Sequence, residues 1–335
     1  ITTGKILNSF ISLVIFLIIN FRSELHMNYQ KILAVIEPEL STQKSLARAI
    51  EIANINGASV TAFLTIYDFS YEMTTMLSMD ERENMRQAVI DDRTDWLVNL
   101  VSEQFSTQGV SIDVKIVWHN RPYESIIYEV IDKGYDLIVK GTQQHDTLKS
   151  VIFTPTDWHI MRKAPVPVLL VKEHDWPIGG QIIAAVNVGV DVEEHISLNE
   201  EITKQALHFA KLLSSNVHLV NSYPGTPANI VIEIPEFDPT TYDESAKQHH
   251  EQCMHIHSEK HHISKEHCHV DIGLPEDVIP KYANRLDAEL VVLGTVGRQG
   301  ISAALIGNTA EHVIDKLNCD VLAIKPHGFV SPVKC

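Results

Sequence analysis

Asp136-Leu137-Ile138-Val139-Lys140-Gly141-Thr142 and Glu289-Leu290-Val291-Val292-Leu293-Gly294-Thr295 follow one pattern: an acid, a run of mostly apolar residues, then Gly-Thr. They lie 153 positions apart. Pro122, at the head of a helical pattern, recurs at the same spacing as Pro275, and Val168-Leu169-Leu170-Val171-Lys172 recurs as Val321-Leu322-Ala323-Ile324-Lys325. Ile32-Leu33-Ala34-Val35 aligns with Ile183-Ala184-Ala185-Val186 at a slightly smaller spacing. Self-similarity at a fixed period marks a duplicated structural unit. The expected divisions are 1–26, an apolar extension; 27–172, the first domain; 173–180 (Glu173 to Gly180), an acidic Pro/Gly linker; and 181–327, the second domain.

Each unit alternates short apolar runs with helical patterns. In the first, Lys31 to Ile36 and Val60 to Ile66 read as strands flanking a helix whose face carries Leu46, Ala49, Ile50 and Ala53, with Gly57 as its stop. Ser78-Met79-Asp80-Glu81 has the form of a capping box and opens a long helix. Ile112 to Trp118 is the next strand, and Pro122 suits the first turn of the helix after it. Leu137 to Val139, a last helix and Val166 to Val171 complete the unit. Strands separated by helices predict an α/β domain with a five-stranded parallel sheet and helices on both faces. Such sheets bind ligands beyond the carboxyl ends of their strands.

The second copy carries a loop with readable chemistry. Gly294-Thr295-Val296-Gly297 follows a strand, and nine residues later Gly307-Asn308-Thr309 opens a helix. Glycines let the backbone take positive φ and approach a ligand closely. N–H groups at Asn308 and Thr309, helped by the helix dipole, would face an anion. Neither a P-loop nor a dinucleotide fingerprint is present here. The first copy reads Gly141-Thr142-Gln143-Gln144 and then Thr154-Pro155, so Gln144 and Thr154 replace glycines and Pro155 has no N–H to give. No ordinary ATP site is expected there. A structural partner for the second unit and a site for a different, more apolar ligand are the two readings.

The loop, the element order and the duplication resemble the universal stress protein family over roughly Met27 to Pro326. Tyr67 to Met73, Phe153 to Trp158 and Pro235 to Pro239 are similar to its tandem members. The resemblance implies two tandem domains of flavodoxin-like or adenine-nucleotide-hydrolase-like fold, with ATP bound in the second. Carried over residue by residue, Gly294, Gly297, Gly307 and Asn308 would hold the phosphates, with Thr295 and Thr309 completing the expected nucleotide-binding set. Asn187 stands where ATP-binding members have an aspartate at the end of the first strand, with Val188 beside it, and adenine would lie near Val220. The family further implies that the last strand of each unit, Val166 to Val171 and Val321 to Ile324, pairs units. Within one chain this makes an intramolecular pseudo-dimer, and a homodimer beyond it is left open.

Composition narrows the partners. Lys+Arg of 27 against Asp+Glu of 43 gives a net charge of −16, a field that repels nucleic-acid backbones. The cysteines are 4 and form no C-x-x-C pair, which fits a reducing cytoplasm. Ile6 to Phe21 is apolar but shorter than the ~20 residues of a spanning helix. It lacks a small-x-small cleavage pattern, and Met27 is the first methionine. The expectation is that residues 1–26 lie upstream of the natural start, leaving no membrane segment in the mature form. Histidines crowd between His249 and His269, where His250, Cys253 and His257, and separately His257 and His261, have spacings that would share a helix face. No complete ligand set appears, so no metal residue is assigned; a divalent ion and metal buffering stay open. No catalytic constellation is visible. The expected function is a regulatory, ATP-binding stress protein with slow hydrolysis at most, the alternative being a partner-binding scaffold.

Overall fold

The computed structural model describes residues 29–40, 42–71, 73, 77–105, 109–144, 151–172, 175–227, 230, 233–234, 236–295 and 308–334. The apolar stretch Ile6 to Phe21 lies outside them. So do Gly297 and Gly307.

The first unit comprises β1 (Lys31–Val35), α1 (Lys44–Asn56), β2 (Ser59–Ile66), α2 (Met79–Phe105), β3 (Ile112–Trp118), α3 (Pro122–Lys133), β4 (Leu137–Gly141), a two-residue pair β5 (Gln143–Gln144) and β6 (Val151–Ile152), α4 (Pro155–Lys163) and β7 (Val168–Val171). The second comprises β8 (Gln181–Ala185), α5 (Glu193–Leu213), β9 (Asn216–Tyr223), α6 (Pro239–Lys260), β10 (Cys268–Ile272), α7 (Pro275–Leu286), β11 (Ala288–Gly294), α8 (Asn308–Lys316) and β12 (Asp320–Ile324).

The local signals act as their chemistry predicts. Gly57 closes α1 at φ 69°. The Ser78 backbone N–H donates to Glu81 Oε2 at 2.8 Å, and the Glu81 N–H donates to Ser78 Oγ at 3.2 Å. Pro122 sits in the first turn of α3. β7 starts at Val168 rather than Val166, since Pro167 has no N–H for a ladder.

Ten strands form one sheet, ordered β10-β9-β8-β11-β12-β7-β4-β1-β2-β3. Within each unit all five strands pair in parallel. Helices cover both faces, so the central strands are mostly apolar: Ile32, Leu33, Ala34, Leu290, Val291 and Val292 are all fully buried. The units meet where β7 and β12 pair antiparallel, with Leu322 opposite Leu169.

Side chains lock this junction reciprocally. Lys172, just past β7, donates from Nζ to the Leu317 carbonyl of the other unit, and Lys325, just past β12, donates to the Met161 carbonyl and to Thr295 Oγ1. The Lys172 backbone N–H donates to Asp320 Oδ1 at 2.8 Å, Arg48 Nε lies 3.3 Å from Asp320 Oδ2, and Arg162 pairs with Glu311. Trp176, in the stretch expected to be a linker, is buried beneath the Arg48 guanidinium, 3.9 Å from its ring.

Burial pushes Lys172 down to about 8 and Lys325 down to about 7. An unfolded lysine titrates at about 10.4. These folded values are depressed, so the stability the two groups contribute is complete above about 10.4, declines as pH falls and is gone below about 7. The wild-type chain should therefore gain on the order of 3 kcal/mol per lysine between pH 7 and 10 relative to the double variant Lys172→Met/Lys325→Met, read by urea unfolding. Parallel pH profiles for the two chains would refute the linkage.

Candidate functional site

In the second unit the chain leaves β8 toward β9 on one side, while β11 pairs on the other, with Leu293 opposite Ala185. This is the switch point at which doubly wound sheets open a crevice beyond their strand ends. Asn187 and Val188 follow β8 into it, and Gly294 and Thr295 end β11 beside them.

Asn187 is exposed, and its backbone is clamped: its N–H donates to Asn199 Oδ1 at 2.9 Å, and Asn199 Nδ2 returns a bond to its carbonyl at 2.9 Å. The Val188 N–H donates to Asn221 Oδ1 at 3.1 Å. That bond fixes the Asn221 amide, so its Nδ2 donates to His250 Nδ1 at 3.0 Å. His250 comes from α6, stacks on Tyr223 with ring centroids 5.0 Å apart, and lies so close to Gly189 that a Cβ there would fall 1.9 Å from its Cε1. His250 and Gly189 thus shape the crevice wall; no spacing rule in the sequence pairs them.

Three expected site residues also serve the packing around them. Gly294 is not at positive φ; its smallness admits Leu198 of α5, whose Cδ2 would be 2.6 Å from an added Cβ. The Thr295 side chain is buried at the junction, with its hydroxyl against the Ile324 carbonyl at 3.3 Å and Lys325 donating to it, so it does not face the crevice. Val220 is 1% exposed, packed in the core with Val278 and Ile279, because β9 continues to Tyr223 before the sheet ends. Asn308 begins α8 and Thr309 is exposed in its first turn; the Asn308 side chain lies outside the described residues.

The corresponding place in the first unit is filled by the protein's own charges. Lys140 Nζ lies 2.8 Å from Glu37 Oε1 and 2.8 Å from Asp157 Oδ1, all three residues being buried. Asp157 also closes a capping box at the start of α4: the Thr154 N–H donates to its Oδ2 at 2.7 Å, and its own N–H donates to Thr154 Oγ1 at 3.3 Å. Burial pushes the Glu37 carboxyl up, with Lys140 pulling it back. Burial works against the charge on Lys140, but Asp157 and Glu37 outweigh it and hold the ammonium above the usual lysine range. Gln143 and Gln144 are extended and pair with Ile152 and Val151, so this loop starts as a small hairpin, not an anion nest.

In the second unit the repeat places Asn187 near the position of Glu37, Leu293 at that of Lys140 and Ala310 at that of Asp157. No member of the charged triad is kept. The first turn of α8 therefore carries no carboxylate at the position where Asp157 caps α4.

The family model described as Universal stress protein family matches residues 28–172 and 185–325. Universal stress protein E of Escherichia coli (strain K12) is 50% identical over 307 residues, covering 91% of this chain and 97% of that protein. Universal stress protein E of Photorhabdus laumondii subsp. laumondii is 45% identical over 309 residues, covering 92% and 98%. Among solved structures, a functionally unknown protein from Pseudomonas aeruginosa PAO1 superposes with a TM-score of 0.69 at 30% identity, covering 89% of this chain and 93% of that one.

Proposed function

The chain belongs to the universal stress protein family, and from that premise we propose that its second unit binds one adenine nucleotide, ATP, and acts as a regulatory module in the cytoplasm rather than as a fast enzyme. Among the described residues no helix is long and apolar enough to cross a membrane. The phosphates sit over the loop that begins at Gly294 and Thr295 and passes through Gly297 and Gly307 to the backbone N–H groups at Asn308 and Thr309. The ribose meets Asn187 and Val188.

One observation carries this reading. The first unit caps the helix after its loop with its own carboxylate, Asp157, while the second has Ala310 at the same position. The one acid in the first turn of α8, Glu311, is paired with Arg162, and a helix N-terminus that is not capped by its own carboxylate keeps its N–H dipoles for an external anion. The first unit is then a structural half of the pair, joined through β7 and β12.

The test is calorimetric titration of ATP into the full chain and into Gly297→Val. A single site per chain, lost in the variant while the circular dichroism is retained, supports the proposal. A folded wild-type chain that takes up no ATP removes it and favours the partner-binding scaffold.

A further inference from the structure

Away from the crevice, α5 and the C-terminal end of α6 bring together Glu200, His257 and His261. His257 Nδ1 lies 3.7 Å from Glu200 Oε1, His261 Nε2 lies 3.2 Å from Glu200 Oε2, and all three ligand atoms fall within 4.8 Å of one another. Ligand atoms bound about 2.0–2.1 Å from a tetrahedral ion stand about 3.3 Å apart, so small side-chain shifts would close the set around a metal.

The surrounding hydrogen bonds decide which imidazole atoms carry lone pairs. The Thr203 hydroxyl donates to the Asn199 carbonyl at 2.8 Å, so it has no proton left for His257 Nε2, which lies 2.8 Å away. His257 must therefore donate from Nε2–H, and its Nδ1 lone pair faces the Glu200 carboxylate. A lone pair turned toward an anion is unfavourable unless a cation lies between them. His261 Nε2 is buried and makes no hydrogen bond, although the carboxylate is near. A metal-ligating imidazole usually donates its far N–H to an oxygen acceptor, and here the Thr203 hydroxyl oxygen takes that place.

We propose that Glu200 carboxylate, His257 Nδ1 and His261 Nε2 form a site for a borderline divalent transition metal, Zn²⁺ foremost, that ties α6 to α5 in the second unit. Two imidazoles and a carboxylate suit Zn²⁺, with one position left for water, and disfavour the all-oxygen preference of Mg²⁺ or Ca²⁺. The tie has a clear structural use. Along its 22 residues α6 buries only Met254, His257 and Ser258. The resident cation is Lys260, whose Nζ lies 2.8 Å from Glu200 Oε1 on a side chain 61% exposed. The metal displaces it, and the lysine swings into solvent.

Zn²⁺ alone would be titrated into the full chain against a chromophoric chelator, with reductant present. Glu200→Gln and His261→Gln should each weaken binding by more than about 100-fold, and Thr203→Val, an outer-shell change, by about 10- to 100-fold. Lys260→Met should act in the opposite direction. It removes the competing ammonium and tightens binding by up to about fivefold, the fold-change of an exposed ion pair. His249→Gln/Cys253→Ser removes a close imidazole–thiol pair elsewhere on α6 and should change nothing. X-ray absorption of the zinc-loaded chain should show imidazole nitrogen and carboxylate oxygen without sulfur. Equal affinity in wild type and Glu200→Gln, loss of the site in His249→Gln/Cys253→Ser, or sulfur in the coordination shell would overturn the assignment.

Discussion

Replacing Lys140 by methionine is expected to destabilise the chain by about 3–5 kcal/mol at pH 7. The melting temperature would then fall on the order of 10 °C. The reason is desolvation. Lys140, Glu37 and Asp157 are all buried, and each carboxylate finds its countercharge in the one ammonium. Methionine fills a similar volume but leaves two carboxylates facing each other away from water. The Glu37 carboxyl, already raised by burial, loses the ammonium that pulls it back and rises further. A raised folded pKa means that the stability is present below the unfolded value and is lost as pH rises through the folded one. The deficit of Lys140→Met should therefore shrink between pH 7 and 4.5. The triple variant Glu37→Gln/Lys140→Met/Asp157→Asn should recover most of the loss. It removes the charges together, and the amide oxygen introduced by Asp157→Asn can still accept the Thr154 N–H. Wild-type stability in Lys140→Met at pH 7 would show that water reaches these carboxylates.

That network also marks the limit of what the sequence makes legible. The repeat, the parallel strands, the Gly57 stop, the Ser78 capping box and the Pro122 helix start are local signals, and local chemistry decides them. The pairing of β7 with β12 is visible because the family supplies it. What the sequence hides is set by contacts between distant segments. Thr295 looks like a loop ligand beside Gly294, yet Lys325 and Met161, from the end of the chain and from the other unit, turn its hydroxyl inward. Gly294 reads as a flexible turn, but Leu198 is what requires it to be small. Val220 reads as a strand end, whereas β9 runs on to Tyr223 and leaves it in the core. The spacing of His257 and His261 is plain, but Glu200 lies on an earlier helix and no periodicity links it to them. Equally, Glu37, Lys140 and Asp157 carry no signal one by one; only the folding of β1, β4 and α4 together makes them a set.

Comparison of the two units leads to the most direct change at the proposed nucleotide site. Ala310→Asp gives α8 the acid that α4 has at Asp157. There the Asp157 carboxylate accepts the N–H of its N-cap residue, Thr154, at 2.7 Å; the repeat sets Gly307 in that place. The new carboxylate would compete for the donors assigned to phosphate and repel the anion besides. ATP affinity should fall by at least about 100-fold, which is about 2.7 kcal/mol. The helix itself should not suffer, since an acid in the first turn favours the dipole. Ala310→Asn, of the same size without the charge, should weaken ATP much less, separating repulsion from crowding. Adding Leu293→Lys to Ala310→Asp rebuilds the lysine–aspartate pair of the first unit. That double variant should regain stability without regaining ATP, because its helix N-terminus is already occupied. Should Ala310→Asp stay folded and bind ATP as tightly as the wild type, the phosphates do not lie at the start of α8, and the difference between the two units must serve some purpose other than anion binding.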